Sequence, residues 1–215
     1  MSIEIKVLKG SLTIYEAKYA EEFEAMADRF FLGMLGSSEQ QRIDISNKSR
    51  SKDHIRILAM NEGKVIGGLK IIERVRGNDY TEKIIDNFKN HLSFDITKNI
   101  LGNKFHELDS IIVKDSSRGQ GISKSLKTKA FDVLEELNAE LIIGYLYNVN
   151  KRAATSIAET LKIPYLLNHD SFLNNVEKLQ TIIYMPKEKE DLASKVTDPE
   201  NWKVFNPDSK FRSPF

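Results

Sequence analysis

A short polar segment with two glycines has the composition of an anion-binding loop. It runs from Arg118 to Ser123 and lies between an apolar, β-branched run that ends at Val113 and a segment with helical periodicity. In the order strand, glycine loop and helix, the free loop amides and the positive end of the helix dipole point to the same place. The expected ligand is a phosphate or pyrophosphate. The alternative role of the segment is a strand-to-helix turn without a ligand.

The loop also matches a known signature. Arg118-Gly119-Gln120-Gly121-Ile122-Ser123 resembles the Q/R-x-x-G-x-G/A acyl-CoA signature of the GCN5-related N-acetyltransferase (GNAT) superfamily, with Ser123 in place of the last small residue. The segment from Glu107 to Val113 looks like the fourth strand of that family. The glycine motifs of dinucleotide-binding and mononucleotide-binding loops, G-x-G-x-x-G and G-x-x-x-x-G-K-[ST], do not occur in the sequence.

The resemblance implies a fold, a reaction and a donor site. The fold is α/β (α+β) with three layers, in which helices flank a central mixed, twisted sheet of about six to seven strands. The reaction is acyl transfer from acetyl-CoA to a primary amine of a small molecule or peptide, by direct attack in a ternary complex. Residues implied in donor binding are Ile111, Ile112 and Val113 for the pantetheine, Arg118, Gly119, Gln120, Gly121, Ile122 and Ser123 for the pyrophosphate, and Asn150 at an N-x-x-A helix opening.

Acyl transfer to an ammonium needs a base and a proton donor for the leaving thiolate. Glu107 stands where many family members carry a glutamate, and Asp109 follows on the same strand face as a second candidate. An ion pair or an exposed strand edge is the alternative role for Glu107. The family often carries a tyrosine in the helix after its fifth strand, but no tyrosine occurs between Asn148 and Pro164. Tyr147 is the substitute candidate, with packing as its alternative role.

Hydrophobic periodicity predicts the elements that position these residues. Alternation predicts a strand around Ile3–Val7 and a hairpin from His54 to Arg74, in which Gly67 and Gly68 indicate a bulge or a close backbone approach. A strand at Leu141–Tyr147 should lie parallel and adjacent to the Ile111 strand. Further predicted elements are helices at Tyr15–Leu32, from Ile122, at 150–163 and at Leu173–Leu179, and a last strand at Thr181–Met185.

Chain length predicts one domain. Residues 1–190 are expected to form it, and 191–215, rich in proline and aromatic residues, are expected to form an extended tail that packs on its own domain or on a partner subunit in a homodimer. Residues 36–53 read as an exposed loop. Residues 79–104 read as an insertion with helical character, close to where a second substrate would enter.

Composition excludes several classes of chemistry. The chain has no cysteine, which excludes disulfides, thiolate metal sites and a cysteine nucleophile. The 4 histidines lack ligand spacing, so no metal site is expected. A net charge of +1 implies no strong attraction to nucleic acid or membrane. The absence of a signal-like or membrane-spanning apolar run predicts a cytoplasmic protein.

Two other functions remain open at this point. An acyl-homoserine-lactone synthase is similar in length and in its insertion before an E-L strand, but those enzymes match the RGQG loop poorly. A binding module that retains acyl-CoA without turnover is the third hypothesis, because the usual helix tyrosine is missing.

Overall fold

A computed structural model describes residues 2–35, 54–75, 77, 82, 104–147, 165–168, 179–184 and 202–205. The chain divides into two compact units. The first comprises Met1–Ile72 and Asp109–Val133, and the second comprises Glu73–Leu108 and Leu134–Phe215. Strand β4 (Lys104–Val113) is divided between them: its C-terminal half belongs to the first unit and its N-terminal half to the second.

Strands β1 (Glu4–Leu8) and β2 (Ile55–Asn61) lie in the first unit, and β3 (Lys64–Val75) belongs to it as far as Ile72. β2 pairs antiparallel with both β1 and β3, and a bulge interrupts the β2–β3 register between Ala59 and Met60. β3 is followed in the sheet by β4 (Lys104–Val113). At the end of β4 the Lys114 amide donates to the Ile66 carbonyl at 2.9 Å. This bond ties β3 to the start of the glycine loop.

Helix α1 (Ile14–Leu35) begins at a capping box. The Thr13 hydroxyl accepts a hydrogen bond from the Glu16 amide, and the Glu16 carboxylate accepts one from the Thr13 amide at 2.9 Å. Two otherwise unpaired donors are thereby satisfied where the helix starts. The buried face of α1 joins β1–β4 in a core that contains Leu8, Ala20, Phe23, Met26, Ala27, Leu58, Met60, Val65 and Ile112.

Gly67 and Gly68 show how closely the layers of the first unit approach β3. A Cβ on Gly68 would lie 2.5 Å from the Phe23 ring of α1. A Cβ on Gly67 would lie 2.9 Å from the Ile112 carbonyl oxygen and 3.4 Å from the side chain of Ile122. Because successive strand residues point to opposite faces, α1 and the helix that begins at Ile122 cover opposite faces of β3. The three-layer arrangement follows from these contacts.

Helix α2 (Ile122–Glu136) is amphipathic. Its apolar stripe at i, i+4, i+8 and i+12 is buried and comprises Ile122, Leu126, Ala130 and Leu134. Lys127 lies next to this stripe and is also buried. Burial lowers the pKa of the Lys127 ammonium from 10.5 to about 8, because the charged form loses hydration.

In the second unit, β5 (Ile142–Tyr147) runs parallel to the N-terminal half of β4. Pairing covers three positions and ends at Leu108 and Gly144. Beyond β5 the order is β7 (Leu179–Tyr184), β6 (Tyr165–Asn168) and β8 (Trp202–Phe205), each antiparallel to its neighbour.

The predicted α/β class and the mixed sheet flanked by helices are confirmed, and the described residues form eight strands rather than six or seven. The additional strands are β6 and β8, of four residues each, which are too short for a clear period. The loop at 36–53, nearly all of the 79–104 insertion, the helix predicted at 150–163 and residues 173–178 of the helix predicted at Leu173–Leu179 lie outside the described residues. Leu179 itself was wrongly assigned to that helix, because it is the first residue of strand β7. The domain boundary predicted at residue 190 stays a prediction.

In the described part of the chain, no helix is long and apolar enough to cross a membrane.

Replacing Lys127 by methionine should stabilise the protein in a pH-dependent way. The folded state releases this proton near pH 8 and the unfolded chain near pH 10.5, so wild-type stability rises with pH between these values. Methionine has no charge to bury. The free energy of unfolding of the variant relative to the wild type should therefore fall by about 3 kcal/mol between pH 7 and about pH 10.5. Urea unfolding at several pH values measures it.

Lys129→Met is the control for this measurement. Lys129 lies on the same helix, is partly exposed and is 4.0 Å from Asp132, so its replacement should change stability by less than about 0.5 kcal/mol at every pH. If the stability difference between Lys127→Met and the wild type does not change with pH, the lowered pKa of Lys127 is contradicted.

Candidate functional site

The loop between β4 and α2 has a backbone that requires glycine. A 3₁₀ turn at Asp115–Ser117 follows β4, after which Gly119 and Gly121 adopt φ angles of +79° and +76°. An added Cβ would meet nothing within 4 Å at either position. The glycines are therefore required for their left-handed conformation and not for lack of space.

The amides at the start of α2 are open to a ligand. The first amide bonded within the helix is that of Ser125, which donates to the Gly121 carbonyl at 3.1 Å. Among the described residues, none accepts a hydrogen bond from the amides of residues 121–124. Gly121 holds the N-cap position, where Ser, Asp or Asn would supply a capping oxygen. The absence of that oxygen and the positive end of the helix dipole make the position suitable for an anion.

Arg118 adds a positive charge beside these amides. Its guanidinium pairs with the Asp115 carboxylate at 2.7 Å, and both side chains are exposed. An exposed pair of this kind contributes less than about 1 kcal/mol. A ligand phosphate could therefore compete with Asp115 for the guanidinium.

β3 positions both ends of the loop. Gly67 lies against the Ile112 carbonyl, the Val113 side chain and the Ile122 side chain, at the end of β4 and the first residue of α2. Ile112 is buried, whereas Ile111 and Val113 are half-buried. The close approach predicted at Gly67 is confirmed, and the register shift lies beside it, opposite Ala59 and Met60.

In the second unit, Glu107 forms an ion pair. Its Oε2 accepts hydrogen bonds from Arg74 Nε at 2.7 Å and Nη2 at 2.6 Å. The Glu107 side chain is 6% exposed and that of Arg74 is 22% exposed. A nearby guanidinium favours the ionised carboxylate. The geometry matches the ion-pair role that was the alternative to a base.

In the first unit, Asp109 belongs to a group of four charged residues. Lys70 Nζ lies 3.0 Å from Asp109 Oδ2 and 3.5 Å from Glu24 Oε2, and Glu24 Oε1 pairs with Arg56 Nε at 2.7 Å. The Asp109 side chain is 31% exposed, whereas Lys70, Glu24 and Arg56 are buried. The next residue, Ser110, has a φ of +56° within β4. Asp109 is the member of this group that reaches solvent.

Sequence reasoning missed Lys70 and Arg74. The two residues lie four positions apart on β3. Lys70 lies within a part of the strand that is otherwise apolar as far as Ile72, and Arg74 follows it. A lysine inside a buried strand signals a buried acidic partner, because an isolated buried ammonium is costly. Of the remaining candidates, Tyr147 is the last residue of β5. Asn150 lies outside the described residues.

Comparison with known proteins identifies the family. A model of the acetyltransferase (GNAT) family matches residues 19–155, more than half of the chain, and the chain belongs to this family. No curated protein matches the sequence significantly. Solved structures with the same fold include Escherichia coli ElaA (11% identity, 85% of this chain and 99% of that chain, TM-score 0.54). They also include an acyl-CoA N-acyltransferase from Pseudomonas aeruginosa (11% identity, 85% of this chain and 99% of that chain, TM-score 0.53) and Arabidopsis thaliana NAA60 in complex with acetyl-CoA (11% identity, 85% of this chain and 97% of that chain, TM-score 0.50).

Replacing Glu107 by glutamine should destabilise the fold. The substitution removes the negative charge that Arg74 contacts and leaves a largely buried guanidinium with a neutral acceptor. A loss of about 1–3 kcal/mol in the free energy of unfolding is expected, measured by urea denaturation. Asp115→Asn, which removes the charge from the exposed pair with Arg118, should cost less than about 1 kcal/mol. Equal losses of unfolding free energy in the two variants would show that the buried pair stabilises the fold no more than the exposed pair does.

Proposed function

We propose that this protein is an N-acyltransferase that transfers an acetyl group from acetyl-CoA to a primary amine by direct attack in a ternary complex. The observation that carries the proposal is the open helix N-terminus, in which Gly121 stands at the N-cap and the amides of residues 121–124 have no acceptor among the described residues. Family membership supports it. The acetyl-CoA complex of NAA60, which has the same fold, supports the choice of donor.

The donor site is proposed to lie along the end of β4 and the loop that follows. Amides of residues 119–123 would hold the pyrophosphate, with Arg118 adding charge. The backbone of Ile111, Ile112 and Val113 would pair with the pantetheine amides. Support for this comes from the pairing of β4 with β5, which ends at Leu108 and leaves the later residues of β4 beyond the paired stretch. Asn150 remains a predicted donor-site residue.

Bound acetyl-CoA supplies a thioester that an uncharged amine can attack. The acceptor is an ammonium near neutral pH, so a base of the chain must first accept a proton from it. Asp109 is the proposed base, because its carboxylate reaches solvent, whereas Glu107 is nearly buried and bonded to Arg74. A base must come within hydrogen-bond reach of its proton or act through one water. Glu107 is the alternative base.

One covalent bond forms and one breaks in the transfer. The amine nitrogen forms a bond to the thioester carbonyl carbon and releases its second proton to water, the C–S bond breaks, and the thiolate leaves with the bonding electrons. Tyr147 is the proposed proton donor to that thiolate. Direct attack is preferred over a covalent enzyme intermediate, because the chain has no cysteine to carry the acyl group.

The acyl donor distinguishes this proposal from its rivals. Calorimetry with acetyl-CoA, a long-chain acyl-CoA and acyl-carrier protein separates an acetyltransferase from an enzyme similar to acyl-homoserine-lactone synthases. Binding of acetyl-CoA without turnover of any amine in a broad panel would favour a non-catalytic module. The cytoplasmic location, the homodimer and the absence of a nucleic-acid partner stay predictions from sequence.

Gly121→Ala should weaken donor binding. Alanine at a φ of +76° costs about 1–2 kcal/mol, and relief of that strain would rotate the loop amides away from the ligand. The Kd for coenzyme A, measured by calorimetry, should rise roughly tenfold. Gly10→Ala is a matched control, since Gly10 has a φ of +70° and equally open surroundings outside the loop. It should lose similar stability and bind coenzyme A like the wild type, and equal affinity in both variants would count against the loop as the donor site.

Asp109→Asn should lower kcat by about 100-fold or more, because a positioned base contributes at least that much. Glu107→Gln should lower kcat less than about tenfold for the same amount of folded enzyme. Release of free thiol from acetyl-CoA at saturating amine measures both rates. The opposite ranking would assign the base to Glu107, and unchanged rates in both variants would remove both carboxylates from that role.

A further inference from the structure

We propose that Lys70 is a positioning residue for acyl transfer: its buried ammonium holds one oxygen of Asp109 and thereby presents the other to the acceptor amine. The inference rests on the proposed function, in which Asp109 is the base. It adds a residue that does not itself contact the substrate, and it explains why a lysine occupies a core position of β3.

The first step is the geometry of the Asp109 carboxylate. Oδ2 lies 3.0 Å from Lys70 Nζ. Among the described residues, Lys70 is the single polar partner of this carboxylate, so Oδ1 is not engaged by any of them. One oxygen is therefore held and the other is available to a ligand on a side chain that is 31% exposed.

The second step is the anchoring of Lys70. Its side chain is 1% exposed, and its ammonium lies between Asp109 Oδ2 and Glu24 Oε2. Arg56 lies opposite Lys70 in the β2–β3 register and holds the other oxygen of Glu24 at 2.7 Å. Lys70 is thus attracted from the core side by a carboxylate that Arg56 holds through its other oxygen, whereas Glu24 Oε2 has no hydrogen-bond partner among the described residues.

The third step is the charge of the group. Glu24 and Asp109 carry two negative charges, and Arg56 and Lys70 carry two positive charges, so the four residues are neutral together. Loss of the Lys70 charge would leave Glu24 paired with Arg56, and it would leave Asp109 with water as its partner. Because Asp109 is partly exposed, such a variant can keep its fold, whereas the orientation of the carboxylate would be lost.

The fourth step is the backbone beside Asp109. Ser110 has a φ of +56°, a conformation that costs a non-glycine residue about 1–2 kcal/mol. A strained residue in the middle of a strand persists where surrounding contacts hold it, and such strain is concentrated at functional sites. Next to this strained residue, the contact with Lys70 holds the side chain of Asp109.

A double-mutant cycle tests the inference. Lys70→Met should lower kcat/KM for the acceptor amine about tenfold, since small misplacement of a reacting group is costly, and should leave the Kd for acetyl-CoA unchanged. In the Asp109→Asn background, the same substitution should lower kcat/KM less than twofold further, because Lys70 then has no base to position. Lys127→Met, another buried lysine of the same unit, is the control and should leave both constants unchanged.

Separate outcomes decide the two proposals. Multiplicative losses from Lys70→Met and Asp109→Asn, or a loss in acetyl-CoA affinity equal to the loss in kcat/KM, would assign Lys70 a purely structural role and overturn the inference. If Lys70→Met does not fold, Lys70→Gln removes the charge with hydrogen-bonding atoms retained, and the same cycle applies. No turnover by the wild type across a broad amine panel would instead overturn the proposed function and the inference with it.

Discussion

The amides at the start of α2 impose the constraint on which the site depends. Backbone donors must be satisfied by protein, water or ligand, and a helix leaves its first amides without partners. A side-chain cap commonly supplies the missing partners, and in α1 the cap is formed by Thr13 and Glu16. α2 has Gly121 at that position and carries no capping oxygen. Side chains of the chain thus satisfy the first amides of α1, whereas those of α2 are left for a ligand or water. The uncapped helix α2 is therefore the one suited to an anion.

β3 determines where those amides lie. Gly67 allows the end of β4 and the start of α2 to approach β3 on one face, and Gly68 allows Phe23 to pack on the other. A side chain at Gly67 would meet a backbone carbonyl, which cannot rotate away as the end of a flexible side chain can. The glycine pair therefore links the packing of the core in the first unit to the geometry of the loop.

Much of this architecture could be predicted from the sequence. The strand, loop and helix around Arg118 and the hairpin follow from local periodicity and glycine placement. The parallel pairing of β4 with β5 follows from the order strand, helix, strand. The ion pairs could not be predicted. Arg74 and Glu107 are 33 residues apart in the chain, and their contact depends on the β3–β4 register, which the intervening residues do not encode in any local pattern. β6 and β8 were missed for a different reason, since four residues are too few to establish alternation.

The two carboxylates of β4 show why residue type alone cannot assign a base. By spacing, Glu107 and Asp109 are equivalent candidates, and each has a basic partner from β3. Their environments differ: Arg74 engages Glu107 through two donors in a nearly buried pair, whereas Lys70 engages Asp109 through one oxygen of a side chain that reaches solvent. Buried ion pairs add little net stability, because desolvation offsets most of the Coulombic gain. Under the proposed function, the buried lysine between two carboxylates serves to orient Asp109, since the energy that it contributes to the fold is small.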